Sequence, residues 1–338
     1  MTQTALFSRP LRVGLVGTGY AAKLRSQALQ AEPRAVLAAV AGHTLETTQV
    51  FSQTYDAEPI ASWQELVQRS SLDLIIIATV NRDHGAIVRA ALAAGKHVVV
   101  EYPLALDAAE AADLITLSNA QNKLLHVEHI ELLGGMHQAL KASLPAIGIP
   151  FFARYATIKP ERPAPKRWTY HPELFGFPLI GALSRLHRLV DLFGNVATVS
   201  CQMQLGDHRQ LGDRPSTDPH YTTCYCAAQL RFQSGLLAEV VYAKGESVWR
   251  SERKMAVHGE KGALIFDGDQ GMLVQTEGEQ PIALATRQGL FAKDTALVLD
   301  YLIDSAPLYV TPEASLYTLK VAEAARRSAA TGQTMAIG

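Results

Sequence analysis

The sequence predicts an α/β protein in two parts: a parallel sheet covered by helices, then an α+β domain with a large, mainly antiparallel sheet. Three observations carry this. At about 150 residues per domain, 338 residues make two domains. Up to about residue 130, short apolar runs alternate with helical patterns, as in a sheet buried on both faces. Beyond that point the runs lengthen and alternate with period two, as in strands with one buried face. The division is drawn at residues 1–125 and 126–338.

In the first part, Arg12–Val16 reads as a buried strand and Tyr20–Gln30 as a helix. Val36–Ala41 is a second strand, and Leu72–Ala78 a third clear one, rich in β-branched residues. Gly85–Ala94 is a helix stopped by Gly95. His97–Glu101 is another strand, Asp107 caps a helix to about Ala120, and Leu124–Ile130 closes the sheet. In the second part a helix near Leu132–Leu144 leads to a strand, Ile149–Ile158. A Pro-rich, aromatic loop (Lys159–Pro178) precedes a helix, Leu179–Phe193. Strands follow at Ala197–Leu205, Tyr221–Phe232, Leu236–Ala243, Lys254–His258, Ala263–Phe266 and Met272–Gln275. Turn signals at Gln233–Gly235 and Gly259–Gly262 separate them, and Asp207–Pro219 reads as a polar loop. Helices at Asp294–Ile303 and Pro312–Ala330 end the chain.

Composition removes several classes of function. With 31 basic and 32 acidic residues the net charge is -1, which gives no electrostatic case for nucleic acid or an anionic membrane. No apolar run approaches the roughly 18 residues of a spanning helix, and the N-terminus lacks signal-peptide features. A cytoplasmic location is the expectation. The three cysteines, Cys201, Cys224 and Cys226, are too few for a disulfide framework. Cys224 and Cys226 share one face of a strand and read as packing residues rather than a redox pair. No metal-ligating pattern is found: His126, Glu128 and His129 lack the helical H-E-x-x-H spacing.

The first strand runs into Gly17-Thr18-Gly19-Tyr20-Ala21-Ala22, a G-x-G-x-x-A turn between strand and helix. The same letters occur in glycine turns of cofactor-free sheets, but this context is the one a dinucleotide needs. Gly17 allows the tight turn, Gly19 lets backbone approach a pyrophosphate, and Ala22 lets the helix pack close. The N-terminal domain is therefore expected to be a Rossmann domain, with Gly17, Thr18, Gly19, Tyr20 and Ala22 on the cofactor. The second strand ends Ala41-Gly42-His43-Thr44, where an NAD-preferring site places a carboxylate; none occurs before Glu46. Its absence favours NADPH, with NADH the weaker alternative. His43 and Thr44 can donate to a 2′-phosphate, and Arg25 can add charge. Thr79, Asn81 and His84 follow a strand end and are also expected beside the cofactor.

A dinucleotide domain, a Glu-x-Pro after the fifth strand and an antiparallel-sheet domain together resemble the glucose–fructose oxidoreductase/inositol dehydrogenase family. That family has Glu-Lys-Pro and a helix bearing Asp and His four residues apart. Here Tyr102 replaces the lysine, and Ser184 and Arg188 fall where Asp and His belong when Asp191 is taken as the trailing Asp. The sugar-oxidising machinery is thus missing. A narrower resemblance is to the cyanobacterial-type biliverdin reductases. It is carried by VGTGYAA, HGAIVRAALAAGKHVVVEYPLAL, KLLHVEHIELLGG, FFARYATI, PAPKRWTYH, FGFPL, ALSRL and DLFG, and spans nearly the whole chain from about Leu11. It implies NADPH-dependent reduction of biliverdin IXα to bilirubin by hydride transfer to C10, with a proton delivered to a pyrrole nitrogen. It also implies a six-stranded, mainly antiparallel second sheet and a substrate cleft between the domains.

For that chemistry Arg185 and Arg188, three apart on one helix, supply the cations that a dianionic tetrapyrrole needs. Arg185 is the expected group nearest the reaction. It acts electrostatically, with water as immediate donor, because a guanidinium rarely gives up its proton. Arg188 is expected to hold a propionate. Tyr102 is the second catalytic candidate, and Glu101 is expected to contact cofactor and substrate. His129, Trp168 and Arg167 complete the expected substrate residues, while His126 reads as structural. Two rivals stand beside this reading: another oxidoreductase of the wider family, and a non-catalytic cofactor-binding regulator. Monomer and homodimer are both permitted.

Overall fold

The structure is a computed structural model that describes residues 9–206 and 219–337; most of the polar loop read at 207–219 lies outside the described residues. The chain opens with β1 (Leu11–Val16), α1 (Tyr20–Gln30), β2 (Ala35–Ala41), α2 (Leu45–Tyr55), β3 (Glu58–Ile60), α3 (Trp63–Gln68) and β4 (Leu74–Ile77). It continues with α4 (His84–Ala93), β5 (His97–Glu101), α5 (Ala108–Ala120), β6 (Leu125–Glu128), α6 (Gly135–Ser143) and β7 (Pro150–Pro160). Next come α7 (Pro172–Phe175), α8 (Pro178–Gly181), α9 (Ser184–Phe193), β8 (Val196–Gly206), β9 (Thr223–Phe232), β10 (Leu237–Gly245) and β11 (Glu252–Gly259). Finally come β12 (Gly262–Asp267), β13 (Gln270–Gln275), β14 (Gly278–Ile282), α10 (Leu290–Asp304), α11 (Pro312–Thr331) and β15 (Met335–Ala336).

Two compact units result: the chain up to Ile130 with Gln288–Leu316, and Glu131–Arg287 with Tyr317 onward. This differs from a division at 125/126. Strand β6 pairs with β5 through Glu128, so the first sheet holds the chain to that point. Helix α10 also belongs to the first unit, where Val298, Leu299 and Leu302 join a core with Leu15, Ala22, Val40 and Ile76.

The first unit is a six-stranded sheet in the order β3-β2-β1-β4-β5-β6, all parallel. Its strands are buried on both faces: all four residues of β4, Leu-Ile-Ile-Ile, are buried. Three of its helices start at side-chain caps, Thr44 for α2, Ser62 for α3 and Asp107 for α5. The segment from Gly42 to Ser71, for which the sequence gives no element, contributes α2, β3 and α3. β3 has only three residues, two of them exposed, too short for a periodic signal.

The second unit is built on a nine-stranded sheet, order β14-β13-β12-β11-β7-β10-β9-β8-β15, against the six strands the resemblance implies. It is antiparallel except for β7 beside β10. β9 alternates as expected, with Cys224, Cys226, Ala228, Leu230 and Phe232 inward. The edge strands β14 and β15 lie beyond the expected set; β14 is almost wholly exposed, so burial leaves no pattern in it. The helix read at Leu179–Phe193 is two pieces, broken at Ala182 (φ -110, ψ 40). The ring of Phe175 presses on Gly181 there, leaving no room for a side chain.

Candidate functional site

In the first unit the β1–α1 turn is shaped by contact with β4. Gly17 has φ +121, and a Cβ there would run into the Ala78 carbonyl, so only glycine lets the two strand ends approach. Its N–H donates to Ala41 O at 2.8 Å. A Cβ on Gly19 would meet nothing within 4 Å, and α1 begins there with no side chain capping it. The positive helix end thus faces open space with backbone N–H groups unclaimed by a cap, which suits an anion. Thr18 lies against Gly42, Tyr20 is exposed, and Ala22 is buried on the core, each as its position in the motif requires. β1 and β4 are the central neighbours from which the strand order runs outward both ways, the place where such sheets bind dinucleotides. The residues present therefore fit a pyrophosphate.

At the end of β2, His43 and Thr44 are exposed. Thr44 caps α2, accepting from the Thr47 N–H at 3.2 Å and meeting Thr47 Oγ1 at 2.8 Å. Arg25 is not available to a ribose phosphate, contrary to expectation. It is fully buried, donating from Nε to Glu101 at 3.0 Å, from Nη1 to Asp294, and from Nη1 to Thr295 at 3.3 Å. Asn81 is buried and Thr79 half-buried after β4. His84 departs from its expected cofactor role: it is buried, with Nδ1 2.8 Å from Pro103 O and Nε2 3.3 Å from Thr79 O. Burial pushes its imidazole down from the ordinary range. A neutral ring donates from one nitrogen only, so the shorter contact, Nδ1–H to Pro103 O, is the hydrogen bond that ties the start of α4 to the turn after β5.

That turn carries Glu101-Tyr102-Pro103, with a cis peptide bond before Pro103. Tyr102 stacks on His129, ring centroids 5.5 Å apart and planes 6° from parallel. His129 is buried, with Nε2 2.9 Å from Ser315 Oγ, so it backs Tyr102 rather than meeting substrate itself. Glu101 and Glu128 stand in register on the neighbouring strands β5 and β6. Burial, then Glu101, pushes the Glu128 carboxyl well above the usual carboxylate range. Asp294 accepts from Arg25, from Tyr309 OH at 2.7 Å, and lies 2.8 Å from His126 Nε2. Burial alone would raise its pKa, but Arg25 and His126 hold it well below the usual range. Sequence reasoning missed Asp294 because nothing in the spacing of α10 marks a contact 269 residues from Arg25.

In the second unit the paired arginines of α9 separate. Arg185 is the half-buried residue among buried neighbours. Its Nη1 donates to Ser184 Oγ at 2.8 Å, its Nε reaches Thr157 Oγ1 at 3.4 Å, and its guanidinium lies 5.7 Å from the Tyr242 ring centre. Arg188 differs from its expected place on a propionate. It is 1% exposed, donates from Nη2 to Glu131 at 2.9 Å, and lies over the Tyr155 ring. Glu131 also accepts from Arg287 at 2.5 Å. Burial would raise Glu131, but Arg188, Arg287 and Arg185 hold its carboxyl below the ordinary range.

Arg167 is likewise engaged, its Nη2 2.5 Å from Glu161, and Trp168 packs on Phe175 with centroids 5.8 Å apart. The loop they occupy is held by a group the sequence did not mark. Lys244, buried at the end of β10, donates to Thr169 O at 2.5 Å, with the Tyr170 and Phe175 rings each 4.4 Å from Nζ. Burial pushes its ammonium down to about 8. The three cysteines are free and buried, with Cys201 and Cys226 sulfurs 3.7 Å apart.

Comparison with known proteins extends this picture. A protein crystallised as "biliverdin reductase in complex with biliverdin and NADP+", from Synechocystis sp. PCC 6803, is 48% identical. The match covers 95% of this chain and 99% of that one, with a TM-score of 0.91. Biliverdin reductase A of Mus musculus is 31% identical over 228 residues, 63% of this chain and 69% of that protein. The Homo sapiens protein of the same name is 32% identical over 143 residues, 42% and 45% of the two lengths. The profile described as "Oxidoreductase family, NAD-binding Rossmann fold" matches residues 11–129, and its "C-terminal alpha/beta domain" matches 146–337. With both profiles in order along one chain, and the dinucleotide turn on the page, the chain belongs to the GFO/IDH/MocA oxidoreductase family of NAD(P)-dependent enzymes.

Proposed function

We propose that this chain is an NADPH-dependent biliverdin reductase that converts biliverdin IXα to bilirubin. The observation that carries the reading is the near-full-length match to a protein crystallised with biliverdin and NADP+. When bound, the cofactor supplies a hydride, which this reading directs to C10 of the tetrapyrrole. Gly17, Thr18, Gly19, Tyr20 and Ala22 form the turn that would hold its pyrophosphate. His43 and Thr44 end β2 without a carboxylate, so a 2′-phosphate meets no repulsion there.

Arg185 is the catalytic cation of the proposal. Hydroxyls of Ser184 and Thr157 and the Tyr242 ring orient its guanidinium. A fixed positive charge draws electron density from C10 and stabilises the negative charge that hydride addition leaves on the pyrrole nitrogens, which water then protonates. Tyr102, held flat by His129, offers a phenol as a further donor. The test is to mix the purified protein with NADPH and biliverdin and follow both chromophores. The expected result is loss of the blue-green absorbance with rise of the yellow product. No conversion at any pH, with NADPH binding intact, overturns the reading.

A further inference from the structure

Lys244 does not stabilise the fold by pairing its charge. It is 5% exposed and makes no ion pair among the described residues; its Nζ donates to Thr169 O. Glu161, a carboxylate that acts on it from the aromatic loop, is itself held by Arg167 and by the Tyr170 OH at 2.7 Å. Burying an ammonium in this way costs stability, and ring faces with one carbonyl offset only part of the cost. An apolar side chain of similar size commonly leaves a protein as stable as a buried charge does, or more so. What the charge holds in place must therefore account for it.

Arg185 rests on two supports. On the sheet side its Nε reaches Thr157 and its guanidinium lies over the Tyr242 ring; Thr157 and Tyr242 are register partners on β7 and β10. On the helix side its backbone N–H donates to Ala182 O at 3.0 Å, at the break between α8 and α9. The Phe175 ring joins the two. It presses on Gly181 just before that break and stacks on Tyr242, with centroids 6.4 Å and planes 24° apart. Lys244 follows Tyr242 by two residues on β10 and so points to the same face of the sheet. Its Nζ lies 4.4 Å from the centre of the Phe175 ring and 5.6 Å from that of Tyr242. The bond to Thr169 O and the Tyr170 ring, also 4.4 Å away, fix the Nζ itself. Lys244 thus touches both supports of Arg185 without touching Arg185's polar partners.

We propose that Lys244 is a positioning residue for Arg185: its ammonium holds the Phe175 and Tyr242 rings where they set the guanidinium. A cation on a ring face favours one tilt of the ring as well as one place, which packing alone does not. The catalytic duty of Arg185 rests on the biliverdin reductase reading, whereas the chain of contacts from Lys244 to Arg185 is independent of it.

Lys244→Met fills the same space with neither a charge nor an N–H donor. It should lower kcat with biliverdin by about tenfold to a hundredfold, the scale for a catalytic group about 1 Å out of place, with NADPH affinity within about twofold. In the Arg185→Ala background the same change should alter kcat by less than about twofold, because a residue that acts through Arg185 has nothing left to act on. A crystal structure of Lys244→Met should show the guanidinium away from Thr157 and Tyr242. An unchanged kcat, an equal loss in both backgrounds, or a guanidinium in its wild-type place overturns the proposal. Should Lys244→Met not fold, Lys244→Gln, which keeps a donor but no charge, is held to the same outcomes. If the wild-type protein does not reduce biliverdin, the biliverdin reductase reading fails, and the crystal structure alone decides whether Lys244 positions Arg185.

Discussion

Arg185 and Arg188 lie one turn apart on α9 yet meet different surroundings. Arg188 is neutralised by Glu131 and buried, whereas Arg185 rests on hydroxyls and an aromatic face and is partly open. Arg185→Ala should lower kcat with biliverdin by roughly a hundredfold or more, the scale for removing a fixed electrostatic group. NADPH affinity should stay within about twofold, since the side chain makes no part of the dinucleotide turn. Steady-state kinetics with a separate binding titration checks both. At this scale the sequence showed residue types but not directions. Glu101 and Tyr102 could be placed because strand ends bind ligands. His84, His129, Arg167 and Arg188 turned instead to carbonyl, hydroxyl or carboxylate partners. A side chain's orientation depends on neighbours distant in sequence.

The strand–turn–helix of β1 and α1 contains two glycines with different duties. Gly17 has φ +121 and faces backbone at Ala78, so Gly17→Ala should cost about 1–3 kcal/mol of stability. Gly19 has φ -82 and open space above it. Gly19→Ala should leave the urea midpoint nearly unchanged while weakening NADPH binding, because the added methyl occupies the approach to the backbone. Denaturation and binding curves for the two variants separate the duties. Most elements were legible because burial imposes a period on them. Where burial is one-sided in a short element, as in β3, or nearly absent, as in β14, no period exists to be read. The break between α8 and α9 was hidden as well, since the Phe175 ring that crowds Gly181 is a tertiary neighbour.

The return of α10 to the first unit builds a buried polar network there. Asp294 joins Arg25, His126 and Tyr309 across α1, β6 and the segment after α10. Asp294→Asn leaves a buried guanidinium short of its partner and should cost about 3–5 kcal/mol. The sign with pH follows from the depressed carboxyl. Its folded pKa lies below the ordinary 3.8, so its stabilisation is full above that value and is lost as pH falls through the folded value. Thermal melts across acidic pH should show a shallower acid limb in Asp294→Asn than in wild type.

The sequence by itself determined the two architectures, the dinucleotide turn and the missing sugar-oxidising residues. Each of these is written locally, in periodicity, in glycine spacing or in the letters at one position. The tertiary structure decided what contacts between distant segments decide: that Arg25 serves Asp294 and Glu101 rather than a ribose phosphate, and that Glu131 takes Arg188. A buried charge must find its partner wherever the fold brings one, and no local pattern records where that is.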